Sequence, residues 1–326
     1  MSDLLNNYTL EFEKPVRDLE NQIKELQEAS LRPEIDISKE IKALQKKVST
    51  LIKDIYANLS PWERVQLSRH PNRPHTIDYI NEMVEDFKEV CGDRHFANDP
   101  AIITGFGKID GKKVAIVGIE KGRKTKEKVH HNFGMPRPEG YRKALRVMQT
   151  AGRFGIPIVT FVDTPGAYPG IGAEERGQAC AIAENLAEMF DIKAPIISVV
   201  IGEGGSGGAL GIAIADRVMM MEYSIYSVIS PESCASILWA DPKKAEDAAN
   251  SLQLVPSKAL ELKVVDSVIE EPIGGAHKDK SAAFEVVKKA ISKELKALSK
   301  MSMDKVLEQR FEKFREMGNQ TITTIQ

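Results

Sequence analysis

Three features of the sequence predict an α/β fold: a sheet-and-helix core preceded by a helical hairpin and followed by a C-terminal helix. Two apolar runs, 157–162 and 194–201, each enter a glycine-bearing turn and then a helix-patterned segment, as parallel strands covered on both faces do. Asp110-Gly111, a hairpin-turn dipeptide, lies between two strand-patterned stretches. The first sixty residues carry a heptad rhythm without strand character. Strand–helix alternation implies right-handed crossovers and a ligand site at the C-terminal ends of the strands.

In order along the chain, Phe12, Val16, Leu19, Ile23 and Leu26 recur at helical spacing. After a break at Pro33, Ile37, Ile41, Leu44, Val48, Leu51 and Ile55 repeat the rhythm. This predicts a helical hairpin used for packing or subunit contact. Strands 101–106 and 113–120 flank Asp110-Gly111. A helix from Pro138 to Phe154 places Tyr141, Leu145, Met148 and Ala151 or Gly152 on one stripe. The strand 157–162 ends at Asp163. A helix over 174–190 turns Ile182, Leu186 and Met189 inward, and the strand 194–201 follows. Helix 207–215, strand 217–221 and a helix from Pro231 come next. After Gly274-Gly275 a single charged helix is expected from Lys278 to about Met317, then a polar tail. The expected division is an N-terminal helical extension (1–85), the α/β domain (86–277) and a C-terminal helix with its tail (278–326).

At 326 residues and 42% hydrophobic content a sizeable core is within reach. A net charge of −2 offers no general attraction to nucleic acid. Cys91, Cys180 and Cys234 are odd in number and without a CxxC pair, which speaks against a disulfide framework and a self-contained zinc site. The opening residues lack the basic flank and apolar core of a signal peptide, and no window approaches 18 apolar residues. The expectation is a cytoplasmic chain that makes no use of a membrane.

The most informative stretch is Ile201 to Asp216, an apolar strand running into Gly204, Gly205, Gly207 and Gly208 and then small residues. Bare amides at such a turn favour an anion: a phosphate, a carboxylate or an oxyanion formed during reaction. Short patterns name three candidates. Gly202-Glu-Gly-Gly-Ser-Gly207 satisfies the dinucleotide pattern GxGxxG, with Glu222 where a ribose-binding acid would sit. It follows at least two earlier strand–helix steps, however, and leads into a short helix. Gly204-Gly-Ser206-Gly-Gly208 satisfies the nucleophile-elbow pattern, with Asp266 and His277 in the order a serine hydrolase triad needs. Asp163-Thr-Pro-Gly166 matches a GTPase switch, but no phosphate-cradling GxxxxGK[ST] exists for it to serve.

Longer segments carry a resemblance. They are 163–178, 202–210, 226–239, Arg69-His-Pro-Asn-Arg-Pro74, 121–128 and 132–145. Together they closely resemble the α subunit of the carboxyltransferase component of multi-subunit acetyl-CoA carboxylase, from roughly Leu4 to His277. Ser233 departs from the pattern, where glycine is expected after Pro-Glu. The resemblance implies a crotonase-like ββα-superhelix core. It also implies a partner β subunit that carries a zinc ribbon, so that no metal is held on this chain, in an α2β2 heterotetramer. The implied reaction transfers a carboxyl group from carboxybiotin, on a biotin carboxyl carrier protein, to acetyl-CoA. The product, malonyl-CoA, opens fatty acid synthesis.

That reaction develops charge on the biotin ureido oxygen and on an acyl-CoA enolate, and biotin itself can take the α-proton. A site rich in glycine and poor in histidine suits it, since one preorganised backbone donor is worth about 2.7–4 kcal/mol. The amides of Gly207 and Gly208 are the expected oxyanion hole. Gly204 and Gly205 would supply close backbone approach and positive-φ freedom. Gly166, Ala167, Tyr168, Pro169 and Gly170 would line the opposite wall, with Tyr168 against the biotin bicycle. Lys124 and Lys126, within the basic stretch Lys121, Arg123, Lys124, Lys126 and Lys128, could meet CoA phosphates, the carrier or a carboxylate, as could Arg142 and Lys143. A solvated loop is the alternative for that stretch. Two other readings stay open: a Ser206 hydrolase, and a scaffold whose partner holds all the chemistry. Which of the two anions the hole serves is not specified by the residues.

Overall fold

A computed structural model describes residues 8–29 and 38–318. Helices Lys14–Ala29 and Ser38–Ala57 pack through Val16, Leu19 and Ile23 against Ile41, Leu44, Val48 and Leu51, the contact the heptad rhythm predicts. Pro33 and the rest of their connection lie outside the described residues.

The sheet runs in the order β1 (Glu85–Glu89), β2 (Ile102–Ile109), β3 (Lys112–Ile119), β4 (Ile158–Thr164), β5 (Ile196–Gly205), β6 (Arg217–Met221) and β8 (Ser267–Ile269), while β7 (Ile225–Ser227) joins the end of β5. β1, β2 and β3 are antiparallel, and every later pairing is parallel. The β2–β3 turn places Asp110 at φ 49° and Gly111 at φ 73°, the doubly left-handed geometry that a two-residue hairpin requires. All of β4 and β5 is buried, because helices cover both faces. On one face Tyr141, Leu145 and Met148 of helix Pro138–Arg153 meet Val162, Val200 and Met189. On the other, Tyr79 and Met83 of helix Thr76–Met83 meet Phe161, Val199, Ile201 and Phe284.

Three helix expectations are corrected. The 174–190 helix is two pieces, Ile171–Glu175 and Gln178–Asp191, because Gly177 sits between them at φ 80°. The helix after β5 spans only Ser206–Leu210. It stops where the Tyr141 ring crowds Gly211 and Asn185 Nδ2 donates to the Gly211 carbonyl at 2.8 Å. The C-terminal segment is two helices, Lys280–Leu298 and Met303–Glu316. The second folds back onto the sheet edge through Arg310. Its Nε and Nη2 donate to the two oxygens of Asp216 at 2.8 Å each, and its other donations reach the carbonyls of Met189, Ile192 and Ala194. Asp216 in turn accepts from Ile196 N–H at 2.6 Å, at the start of β5.

The N-terminal segment is attached by Leu10, Tyr56, Leu59, Leu67 and Tyr223, and by a polar cluster around Glu13. Glu13 Oε1 accepts from Tyr56 at 2.7 Å and pairs with His277 Nε2 at 3.0 Å, Oε2 accepts from Leu10 N–H at 3.0 Å, and His70 stacks on His277.

Arg310→Met leaves Asp216 buried without its cation and is expected to cost about 3–5 kcal/mol, read as a lower urea midpoint, with partial recovery in Arg310→Met/Asp216→Asn. Acid is expected to loosen the Glu13 cluster. Burial pushes Glu13 up, but hydrogen bonds from His277, Leu10 N–H and Tyr56 outweigh it and hold the carboxyl at about 2, below 4.5. Burial, helped by the charge of His277, holds His70 down at about 3, below 6.5. In both cases the unfolded chain takes up protons that the folded chain refuses. Stability should therefore fall as pH drops from 6.5 toward 3 for His70 and from 4.5 toward 2 for Glu13. Urea titrations of His70→Phe across that range should show the upper part of the loss flattened.

Candidate active site

β4 and β5 lie side by side and parallel, so their C-terminal ends open together and the chain leaves each through a glycine-bearing turn. The two turns crowd each other. A Cβ on Gly205 would stand 2.5 Å from the Pro165 carbonyl carbon, and one on Gly208 would stand 2.5 Å from Ala167 N. A Cβ on Gly204 would stand 2.7 Å from the Tyr226 ring. Packing within this chain therefore explains Gly204, Gly205 and Gly208. Gly207 is different: its Cβ would find only Ile182 methyl groups at 3.8 and 3.9 Å, which are ordinary contacts.

The expected positive-φ role of Gly204 and Gly205 is not met. Both close β5, Gly205 at φ −98°, and the left-handed φ of 54° falls on Ser206. A serine in that region costs about 1–2 kcal/mol, and the sharp strand-to-helix turn requires it. Gly207 and Gly208 follow in the first helical turn, where amides have no intrahelical acceptor. Tyr141 Oη donates to the Gly208 carbonyl at 3.1 Å, which fixes the turn from below. Beside Gly207 opens an apolar cleft of about 420 Å³, whose walls include Leu186, Leu210, Tyr226, Val228, Leu262 and Phe314.

The facing loop is braced. Thr164 Oγ1 accepts from Gly166 N–H at 3.0 Å, Tyr168 N–H donates to Pro136 O at 3.0 Å, and Gln178 Nε2 donates to Tyr168 O at 3.0 Å. The half-buried Tyr168 ring carries the Arg137 guanidinium at 4.9 Å and fills the space over Gly170, while Pro169 is exposed.

The basic residues separate into two groups. Lys124 and Lys126 are exposed at the helix Thr125–His130. Lys121 and Arg123 are committed: Lys121 Nζ pairs with Asp163 at 2.7 Å and Glu203 at 3.2 Å, and Arg123 pairs with Asp78. Lys143 is buried, donating to Asn98 and to the Asp99 carbonyl at 2.7 Å each, and Arg142 pairs with Asp93. For Lys121, Arg123, Arg142 and Lys143 the structure replaces a phosphate-binding role with an internal one.

A charged cluster at the strand ends was missed by sequence reasoning. Asp163 and Glu203 are nearly fully buried, and Arg69 reaches Glu203 at 2.6 Å and Glu232 at 2.6 Å. Burial pulls the Lys121 ammonium down, but the charges of Asp163 and Glu203 outweigh it and raise it above its ordinary value. The same balance holds Glu203 below the usual carboxylate range, with Lys121 and Arg69 overcoming burial. A cavity of about 210 Å³ adjoins, lined by Arg69, Arg73, His75, Lys121, Lys128 and Phe133. The only signal in the sequence is acidic residues ending otherwise apolar strands.

The competing constellations do not assemble. His277 is held by Glu13 and His70, while Asp266 accepts from Val218 N–H at 2.6 Å and pairs with Lys313 at 2.9 Å, so neither serves Ser206. Within the GxGxxG match, Glu203 is an ion-paired strand residue, the following helix is five residues long, and Glu222 accepts from Glu271 N–H. Glu13, His70 and His277 have ligating atoms within 4.8 Å of one another. Asn72 N–H donates to His70 Nδ1 at 3.1 Å, however, so in the neutral ring the proton sits on Nε2, which is buried without a hydrogen-bond partner among the described residues.

Residues 9–318 match a family described as acetyl co-enzyme A carboxylase carboxyltransferase-like. The acetyl-coenzyme A carboxylase carboxyl transferase subunit alpha of Xanthomonas campestris pv. campestris is 54% identical over 314 residues, covering 96% of this chain and 98% of that protein. The protein of the same name from Geobacter metallireducens is 53% identical over 315 residues, covering 97% and 99%. Among solved structures, transcarboxylase 12S with hydrolysed methylmalonyl-coenzyme A bound aligns at TM-score 0.57 and 22% identity, over 70% of this chain and 43% of that larger one. A Pseudomonas malonate decarboxylase hetero-tetramer in complex with coenzyme A aligns at TM-score 0.53 and 14% identity, over 64% and 84%. These structural likenesses bear out the expected crotonase-like α/β fold. With the family match spanning nearly all of the chain and the sequence likeness extending end to end, the chain belongs to the acetyl-CoA carboxylase carboxyltransferase α-subunit family.

Proposed function

We propose that this chain, assembled with a β subunit, moves the carboxyl group of carboxybiotin, presented on a carrier protein, to acetyl-CoA, giving malonyl-CoA for fatty acid synthesis in the cytoplasm. The observation that carries the reading is Gly207, open on its outer side in a turn whose neighbouring glycines are all crowded. Nothing among the described residues requires glycine there, so the missing side chain leaves the Gly207 amide open to a group from outside, with the buried Gly208 amide next to it in the turn. As the N–C bond of carboxybiotin breaks, negative charge moves to the ureido oxygen. The ureido nitrogen then takes the acetyl-CoA α-proton, and the resulting enolate carbon forms the new bond to the released carboxyl carbon. Two fixed backbone donors favour either developing oxyanion without a side-chain base.

In this reading Gly204 and Gly205 shape the turn, and Gly166, Ala167, Tyr168, Pro169 and Gly170 form the wall facing it. The adjacent apolar cleft suits an uncharged ring or acyl surface. Lys124 and Lys126, solvent-facing, would meet CoA phosphates or the carrier. The partner carries the zinc ribbon of an α2β2 assembly. The segment 86–277 holds the reacting turns, the helical hairpin within 1–85 serves packing or subunit contact, and Arg69 reaches into the site from the N-terminal side.

The test is malonyl-CoA decarboxylation with free biotin, using the chain alone and mixed with its β subunit; turnover is expected only in the mixture. Gly207→Val should leave folding and assembly intact yet lower kcat by about 100-fold or more, the scale of a lost oxyanion donor. Unchanged turnover would mean that the chain is a scaffold. Ser206→Ala should change kcat by less than about threefold, whereas loss of a serine nucleophile would abolish it.

A further inference from the structure

We propose that Lys121 is a positioning residue for the carboxyl transfer: its ammonium ties together the ends of β4 and β5 and so sets the spacing between the Gly166 loop and the Gly207 turn. The proposal rests on the reading that these two turns form the reacting site. The pairing of β4 with β5 slips at this point. Val162 is opposite Val200, but Thr164 is opposite Gly204, so Asp163 faces the longer stretch 201–203. The slip interrupts the ladder, and Asp163 Oδ1 stands in for it by accepting from Glu203 N–H at 3.0 Å. Lys121 Nζ lies 2.7 Å from that same oxygen and 3.2 Å from Glu203 Oε2. One cation thus bridges the residue three positions before Gly166 and the residue four positions before Gly207.

The chain invests local strain to hold Lys121 there. Asn132, Phe133 and Gly134 lie consecutively in the left-handed region, at φ 51°, 57° and 74°. A bulky aromatic in that region is strained by about 1–3 kcal/mol, and such strain persists where the surroundings demand it. The demand is visible. Gly134 lies flat on the Lys121 stem, where a Cβ would come 2.5 Å from Lys121 Cγ and 3.2 Å from Asp163 O. Phe133, brought over by the same turn, lines the cavity beside the ammonium. The turn therefore packs against the Lys121 stem, and the side chain, 17% exposed, is partly desolvated, which strengthens both ion pairs. Arg69, bonded to Glu203 Oε1, leaves Oε2 to Lys121, so the two cations do not compete. Near the reacting atoms a displacement of about 1 Å can lower a rate about 100-fold, so a device that fixes the spacing of the two turns is expected to act on kcat.

The experiment uses the chain assembled with its β subunit, assayed by malonyl-CoA decarboxylation with free biotin. Lys121→Met is expected to lower kcat by about 10–100-fold while the KM for malonyl-CoA changes by less than about threefold, and Lys121→Arg should recover most of kcat. Lys121 helps to hold Glu203 below the usual carboxylate range, so without the cation Glu203 ionises less readily and the acid limb of the Lys121→Met rate profile should move to higher pH. Lys121→Gln/Asp163→Asn, which removes the bridging cation without leaving a lone carboxylate at position 163 and is too short at 121 to span both strand ends, covers the case in which Lys121→Met fails to fold, and it should show the same loss of kcat. Wild-type kcat in an assembled Lys121→Met or Lys121→Gln/Asp163→Asn protein overturns the proposal. Loss of turnover in Gly207→Val together with wild-type kcat in those variants sinks this inference alone. Full turnover in Gly207→Val sinks the reading beneath it.

Discussion

The close approach of two turns is the constraint on which the rest of the structure depends. Pro165 and Gly166 press against Gly205 and Gly208 so tightly that neither position tolerates a Cβ without backbone movement. Such an approach needs two parallel strands ending at the same level, glycine at the touching positions, and something beneath to hold the backbones in place. The support comes from Tyr141, which donates to the Gly208 carbonyl, and from Asn185, which donates to the carbonyls of Tyr141 and Gly211. Helices Pro138–Arg153 and Gln178–Asp191 are thus read as more than apolar cover: their polar side chains register the turn against the sheet.

Around that contact the chain buries charge in compact, fully paired groups. Asp163, Glu203, Lys121 and Arg69 occupy the strand ends, and Arg73 and Glu271 form a neighbouring pair, with Arg73 Nε donating to Ile201 O at 2.7 Å. Asp216 and Arg310 do the same at the opposite, N-terminal end of β5. Buried ion pairs are weak contributors to net stability but penalise any rearrangement that separates the partners. Both ends of the longest strand are therefore pinned by groups from distant parts of the chain. The extensions at either terminus share in this, since Arg69 precedes the sheet and Arg310 follows it.

Much of the scaffold was legible because it rests on local rules. The hairpin at Asp110-Gly111 needs two left-handed residues, and the dipeptide supplies them. The 157–162 and 194–201 runs became β4 and β5, and the heptad positions of the N-terminal helices do pack. Errors came where a tertiary contact ends an element that periodicity would continue. Gly177 bends the chain so that Arg176 can pair with Glu139, and Tyr141 halts the helix after β5 at Gly211. The site was only half legible. The glycine run announced itself, but the roles within it were assigned wrongly for φ, because the positive value belongs to Ser206.

The sequence by itself determined the class of fold, the two strand-to-turn transitions and, through its long likeness to one family, the kind of reaction to look for. Periodicity, turn chemistry and extended motif matches are properties of neighbouring residues, so a linear reading reaches them. Only the tertiary structure decided which glycine is free, since Gly204, Gly205, Gly207 and Gly208 look alike until their neighbours are placed. It also decided that Lys121, Arg142 and Lys143 are internal while Lys124 and Lys126 face solvent. Charge pairing is a matter of spatial proximity, and Arg69 meets Glu203 across 134 residues of chain. No local pattern encodes that distance.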